Sequence, residues 1–152
     1  MRFLCDEMLV RLARLLRAAG YDTYLASGGE KDFALLHIAR EEGRLVLTRD
    51  KALAAAAAPD SLLISGHGVE QEAQSLSAAV PLNWDFAPFT RCVMDNARLR
   101  PATHDEIDRM PVQARALPGP FHACPACGRL YWPGSHVRRM AARLTGLSAP
   151  EA

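Results

Sequence analysis

The chain lacks any long apolar run. Its first stretch, "MRFLCDEMLV", starts apolar but is broken by Asp6 and Glu7, far short of a secretion signal or a bilayer span. No membrane partner is therefore expected, and the cytoplasm is the expected location. Cysteine is scarce: Cys5, Cys92, Cys124 and Cys127 are all there is. In a reducing compartment so few cysteines serve as thiols or metal ligands rather than as a disulfide scaffold. Lysine is nearly missing. Of 18 basic residues only Lys31 and Lys51 are lysine, leaving 16 arginines. A receiver-like phosphoacceptor site wants a lysine at the end of a late strand, and the chain has none after residue 51. Arginine's planar fork suits bidentate phosphate contacts. A codon bias toward arginine explains the excess equally well.

What is present describes an ordinary globular chain. Its 152 residues, 49% apolar and 23% charged, suffice for one domain or one domain with a small appendix. The net charge of +1 hides an asymmetry. Residues 1–85 carry 9 basic against 12 acidic side chains, or −3, and residues 86–152 carry 9 against 5, or +4.

The first 85 residues alternate regularly. Residues 2–5 read as a strand. Leu9, Leu12, Ala13 and Leu16 follow helical spacing from Met8 to Ala19, and Gly20 ends the run. "YDTYLA" reads as a second strand, residues 31–42 as a second helix stopped by Gly43, and "RLVLT" as a third strand. "DKALAAAAA" is a third helix ended by Pro59, "SLLIS" a fourth strand, and "GVEQEAQSLSAAV" a fourth helix ended by Pro81. This βα alternation predicts an α/β fold, a mostly parallel sheet with flanking helices over residues 2–85. After Phe86 the alternation stops. Short strands around "FTRC", "FHAC" and "RLYW" and a basic helix from Ser135 to Leu144 mark a small second module over residues 86–147. "SAPEA" at the end is expected to fray.

Three acids fall on one edge of such a sheet. Asp6 ends strand one, Asp50 ends strand three, and Asp32 starts helix two. Ligands of open α/β sheets gather at that edge. Converging carboxylates repel one another unless a hard cation lies between them, and Mg²⁺ or Mn²⁺ takes such oxygen ligands. That cation chemistry suits phosphodiester hydrolysis. Each acid also has a plainer role: Asp50 as a helix N-cap, Asp32 as a first-turn residue on the helix dipole. Asp6, at the end of a buried strand, is harder to explain without a partner. Glu7 follows it, Thr48 offers a hydroxyl to orient an acid or a phosphate, and Arg49 fits either a phosphate contact or a solvated surface.

In the basic half, "CPAC" followed by Gly128 is a zinc-knuckle turn. Cys92 starts a second half-site whose partner position holds Asp95, so the ligand set is Cys92, Asp95, Cys124 and Cys127. His104, His122 and His136 are alternative fourth ligands, and an empty module packed by Phe121, Tyr131 and Trp132 is the other option. Cys5 reads as an inert core thiol. "YWPGSHVRRM" places Trp132, His136, Arg138 and Arg139 close together. They fit either a nucleic-acid surface of stacked bases and bound phosphates or a packed aromatic pair beside a solvated basic helix.

The ordered set "FLCDEMLVRLARLLRAAGYD", Asp32 with "LLHIA", "RLVLTRD", "FTRC…DN…L" and "CPACGRLYWPGSH..RM" resembles the Mut7-C RNase domain family, PIN-like nucleases with a C-terminal zinc ribbon. The resemblance spans residues 2–144. It implies a PIN-type α/β fold and a metal-dependent ribonuclease acting on RNA. It also implies an acidic site at Asp6, Asp32 and Asp50, and ribbon ligands at Cys92, Cys124 and Cys127. The chain departs at Asp95, where the family's ribbon commonly has a second cysteine. PIN-type sites usually gather four acids, and only Glu7 stands ready as the fourth. The alternative is a non-catalytic RNA- or ribosome-binding module on the same scaffold. The oligomeric state is open, a homodimer included.

Overall fold

The structure, a computed structural model, describes residues 1–149, so the expected fraying of Pro150–Ala152 lies outside the described residues. Four short strands build one parallel sheet in the order β2-β1-β3-β4: β1 (Arg2–Cys5), β2 (Asp22–Leu25), β3 (Leu45–Thr48) and β4 (Ser61–Leu63). β1 is central, with Leu4 paired to Tyr24 on one side and Val46 on the other. Phe3, Leu4, Cys5, Val46 and Leu47 are almost fully buried, which is why these strands read as unbroken apolar runs.

Helices cover both faces. α1 (Val10–Ala18) and α4 (Val69–Ala79) pack together on one face, and α2 (Asp32–Glu42) and α3 (Lys51–Ala57) on the other. Every strand and helix expected before residue 81 is present; β1 keeps its expected bounds and the others are shortened by one to three residues. The shortening has local causes. Asp50 caps α3 instead of joining it, and a one-turn 3₁₀ helix, Glu7–Leu9, precedes α1 because Asp6 caps that turn. Leu9, Leu12, Leu16, Leu76 and Trp84 fill the first face. Each such side chain contributes about 1.5–3 kcal/mol by leaving water.

Beyond residue 86 a second sheet has antiparallel order β5-β6-β7: β5 (Arg100–Pro101), β6 (His122–Ala123) and β7 (Leu130–Tyr131). "FHAC" and "RLYW" contain β6 and β7, but "FTRC" is not a strand. Arg91 makes a single bridge to Arg98, because Cys92–Ala97 folds back on itself as a tight turn, and the third strand is β5. Two short helices were not foreseen, α5 (His104–Asp108) and α6 (Val112–Arg115). Thr103 and Glu106 close a capping box on α5, a signal present in "THDE".

The basic helix α7 (Ser135–Ser148) runs one turn past its expected end. It lies against α1 and α4, with Leu144 buried and Met140 and Leu147 packed on the same cluster. The core is continuous across residue 86: Cys92, Val93, Cys124 and Tyr131 belong to the same cluster as Phe3 and Leu16. Polar ties reinforce the junction. Buried Arg17 on α1 donates to the carbonyls of Thr23 (2.9 Å), Val93 (3.1 Å) and Met94 (3.2 Å). The Asn96 side chain accepts the Thr23 N–H at 3.0 Å and donates to Asp22 at 2.7 Å, covering part of the exposed edge of β2.

Candidate functional site

Asp6, at the end of β1, is only 7% exposed, and each of its carboxylate oxygens holds one hydrogen bond. One carboxylate oxygen accepts the Met8 N–H at 3.0 Å, and the other accepts the Thr48 hydroxyl. Thr48 is itself completely buried at the end of β3. Its oxygen accepts the Asp50 N–H at 3.0 Å, so one hydroxyl ties the ends of β1 and β3 together. Asp50 is exposed, and its side chain caps α3 by accepting Ala52 N–H at 2.8 Å and Leu53 N–H at 3.4 Å. Asp32 is the exposed first residue of α2, and Lys31 holds the N-cap position.

These acids share one place. Asp6, Glu7, Glu30, Asp32 and Asp50 line a cleft of about 110 Å³ at the carboxyl edge of the sheet. No three of them bring ligand oxygens within 4.8 Å of one another; among the described residues only the cysteine cluster does. Another cavity, of about 520 Å³, lies at the opposite edge between α2 and α3 and holds none of the expected site residues.

Glu30 is the cleft acid that the sequence reading missed. Its carboxylate accepts the Ser27 N–H (3.0 Å), the Ser27 hydroxyl (2.8 Å), the Gly28 N–H (3.2 Å) and the Tyr24 hydroxyl (3.3 Å). Chiefly the Ser27 N–H, then its hydroxyl, hold the Glu30 pKa at about 2. Its lone pairs fold the β2–α2 loop and leave little for a ligand. The signal was a serine three residues before a glutamate around two glycines. Gly28 has φ +101, a left-handed backbone that favours glycine, and it passes close beside the Glu7 carboxylate.

The second constellation lies in the basic half. The Cys92 and Cys127 sulfurs are 3.8 Å apart, and Cys124 Sγ lies 3.2 and 3.3 Å from the Asp95 oxygens. All four residues offer ligand atoms within 4.8 Å of one another. The two turns that present them are alike, hydrogen bond for hydrogen bond. Cys92 N–H bonds to Ala97 O and Asn96 N–H to Cys92 O; Cys124 N–H bonds to Arg129 O and Gly128 N–H to Cys124 O. Asn96 (φ +71) and Gly128 (φ +75) take the same left-handed position. Asp95 therefore stands where the second turn has Cys127. His104, His122 and His136 are not members of the cluster.

Burial pushes the Cys124 thiol up to about 12. Burial also acts to raise the Asp95 pKa, but hydrogen bonds from the Ala97 N–H and the three thiols outweigh it and the net shift is down. Tyr131 hydroxyl donates to Cys92 Sγ at 3.1 Å and accepts the Val93 N–H at 3.0 Å, orienting the sulfur from outside the cluster. A tetrahedron with Zn–S bonds of about 2.3 Å has S–S edges of about 3.8 Å, the spacing seen between Cys92 and Cys127.

Residues 1–144, which hold both constellations, match the Mut7-C RNAse domain family. The chain belongs to that family. It is also 45% identical over 47 residues to the exonuclease mut-7 homolog of Homo sapiens, a stretch covering 31% of this chain and 5% of the human protein. The chain thus spans a small part of that relative's length. No solved structure matches the chain.

The remaining candidates of this Mut7-C chain sit apart from the cleft. Arg49 turns away from it: its guanidinium donates to Gly66 O at 2.9 Å and lies 3.6 Å from Glu72. Trp132 and His136 line a separate cavity of about 220 Å³ between the ribbon sheet and the start of α7. Arg138 and Arg139 are exposed on α7 outside that cavity. No helix among the described residues is long and apolar enough to cross a membrane.

Proposed function

We propose that this chain is a metal-dependent ribonuclease that hydrolyses RNA phosphodiesters at the acidic cleft. Membership of the Mut7-C RNAse domain family supports the nuclease class. The observation that carries the site is Asp6: a nearly buried carboxylate at the end of the central strand, held by Met8 N–H and the Thr48 hydroxyl, in a cleft shared with Asp32 and Asp50. An ionised carboxylate has about four acceptor positions, so Asp6 keeps free lone pairs after these two bonds.

The donors fit a hard divalent cation, and Asp6, Asp32 and Asp50 would hold Mg²⁺ or Mn²⁺. When bound, such an ion supplies charge neutralisation on a phosphoryl oxygen and acidifies water. The protein's own contribution is positional. Thr48 fixes Asp6 and, through the Asp50 N–H, the start of α3. Glu30 holds the loop that carries Gly28 past Glu7. The ribbon half, with its excess of arginine, would grip the RNA through Arg138 and Arg139. Cys92, Asp95, Cys124 and Cys127 would hold a structural Zn²⁺ in an S₃O set.

The test is cleavage of single-stranded RNA with Mn²⁺ by the Asp6→Asn/Asp50→Asn double variant. Loss of cleavage with an unchanged melting curve supports the reading. Unchanged cleavage assigns the activity to another site or a contaminant.

Two observations favour a second reading, a non-catalytic RNA- or ribosome-binding module. The cleft acids do not draw within 4.8 Å as a trio, and Asp50 already caps a helix. Salt-sensitive RNA binding without turnover in Mg²⁺ or Mn²⁺ would decide for it.

A further inference from the structure

We propose that the cavity between the ribbon sheet and α7 receives one unpaired nucleobase of the RNA, stacked on Trp132. This rests on the RNA reading for its ligand, and it adds a base subsite away from the acidic cleft. The cavity, about 220 Å³, is bounded by Val93, Arg129, Tyr131, Trp132, Gly134 and His136. It is smaller than the roughly 300–1,000 Å³ of common small-ligand pockets, so it suits a single flat ring rather than a folded cofactor.

The two tryptophans of the chain make the contrast. Trp84 is 2% exposed, and its indole N–H donates to Ser77 Oγ at 2.8 Å, the behaviour of a core residue. Trp132 is only half-buried and lines the cavity, with its pyrrole edge against Gly134. An indole that lines a cavity offers a base sequence-tolerant stacking of about 1–3 kcal/mol.

Arg129 lines the cavity, and Arg138 and Arg139 stand outside it on α7, next in sequence to the lining residue Val137; together they supply the charge that a nucleic acid needs. Arg129, Arg138 and Arg139 are exposed and form no ion pair among the described residues, whereas Arg143 is paired with Glu70 and Arg100 with Glu106. One unpaired arginine in the lining of an aromatic cavity and two beside it favour a polyanion with planar groups over an apolar peptide. The floor is preformed. Tyr131 Oη accepts the Val93 N–H and donates to Cys92 Sγ, so the cavity's Val93 wall is fixed to the cysteine cluster.

The experiment uses the full chain in the Asp6→Asn/Asp50→Asn background, so that RNA survives. Binding of a labelled ten-nucleotide single-stranded RNA is compared with that of the same strand bearing abasic positions. The Trp132→Ala and Trp132→Phe variants are then measured, with melting curves and metal content checked. The expected result is about tenfold weaker binding for Trp132→Ala, near-parental binding for Trp132→Phe, and a loss on abasic RNA that Trp132→Ala does not deepen. Quenching of tryptophan fluorescence by intact RNA, absent in Trp132→Phe, gives a readout that a merely structural role would not move. Binding by Trp132→Ala within twofold of the parent overturns the proposal. Equal parental affinity for intact and abasic RNA overturns it too, even where Trp132→Ala fails to fold. The ribonuclease reading is judged separately. Trp132-dependent binding without cleavage by the wild-type chain sinks that reading alone, and cleavage with normal RNA affinity in Trp132→Ala sinks the base subsite alone.

Discussion

The Thr48 hydroxyl donates to the Asp6 carboxylate while its oxygen accepts the Asp50 N–H at 3.0 Å. One buried side chain thus sets both the acid that ends β1 and the turn that starts α3. Thr48→Val keeps the shape and removes both bonds, leaving Asp6 nearly buried with one donor fewer. The expected cost is about 1–3 kcal/mol of stability, read by urea unfolding. RNA cleavage should fall by about one to two orders of magnitude in kcat with little change in KM. Thr48→Ser should restore most of both.

Asp95 occupies the position equivalent to Cys127, so the cluster offers three sulfurs and one carboxylate. In a Co²⁺-substituted protein, Asp95→Cys should raise the thiolate charge-transfer absorption by about a third, as three sulfur ligands become four. It should also hold zinc more tightly against a chromophoric chelator, and Asp95→Ala should hold it less tightly. Identical spectra for parent and Asp95→Cys would remove Asp95 from the coordination set. Chelation of the metal should lower the melting temperature, because the cluster shares its core with α1 and α7.

Arg17 is 5% exposed and donates to three carbonyls, two of them in the first cysteine turn. Arg17→Met removes the donor from all three, leaving the Thr23 and Val93 carbonyls buried without it. The expected loss is about 3 kcal/mol in urea unfolding, with the cysteine turn 92–97 exchanging its amide hydrogens faster.

Acid sensitivity should have two named sources. Ser27 N–H first, and its hydroxyl next, hold Glu30 at about 2; the Arg100 guanidinium first, and Thr103 N–H next, hold Glu106 at about 2. Both folded values lie below the unfolded value of about 4.3. Their stabilisation is therefore complete above that value and is lost as pH falls toward 2. Melting temperature measured from pH 5 to pH 2 should fall, and Glu30→Gln and Glu106→Gln should each flatten part of that fall. Both groups are only part-buried, so salt should weaken the effect.

The first 80 residues were legible because their elements obey a period. Leu9, Leu12 and Leu16 announce α1, and the unbroken apolar β1 and β3 announce a sheet covered on both faces. The ribbon was half legible. Two-residue strands such as Arg100–Pro101 carry no period, and their pairing is imposed by the cysteine turns. The Cys-x-x-Asp spacing already showed Asp95 opposite Cys127. Arg49 was not legible, since its ties to Gly66 and Glu72 depend on where α4 comes to rest. Glu30 was missed because a loop glutamate looks solvated until its loop is folded around it. The continuity of the core across residue 86 depends on α7 returning to α1, which nothing local in "SHVRRMAARL" encodes.

A crystal of the full chain soaked in Mn²⁺ and measured at an anomalous wavelength tests the account most directly. The predicted result is one or two peaks in the acidic cleft, with oxygens of Asp6 and Asp50 within about 2.0–2.3 Å of an ion, and Asp32 reaching it directly or through water. A saturated soak with no peak in that cleft, and Asp6 still bound only to Thr48 and Met8, would contradict it.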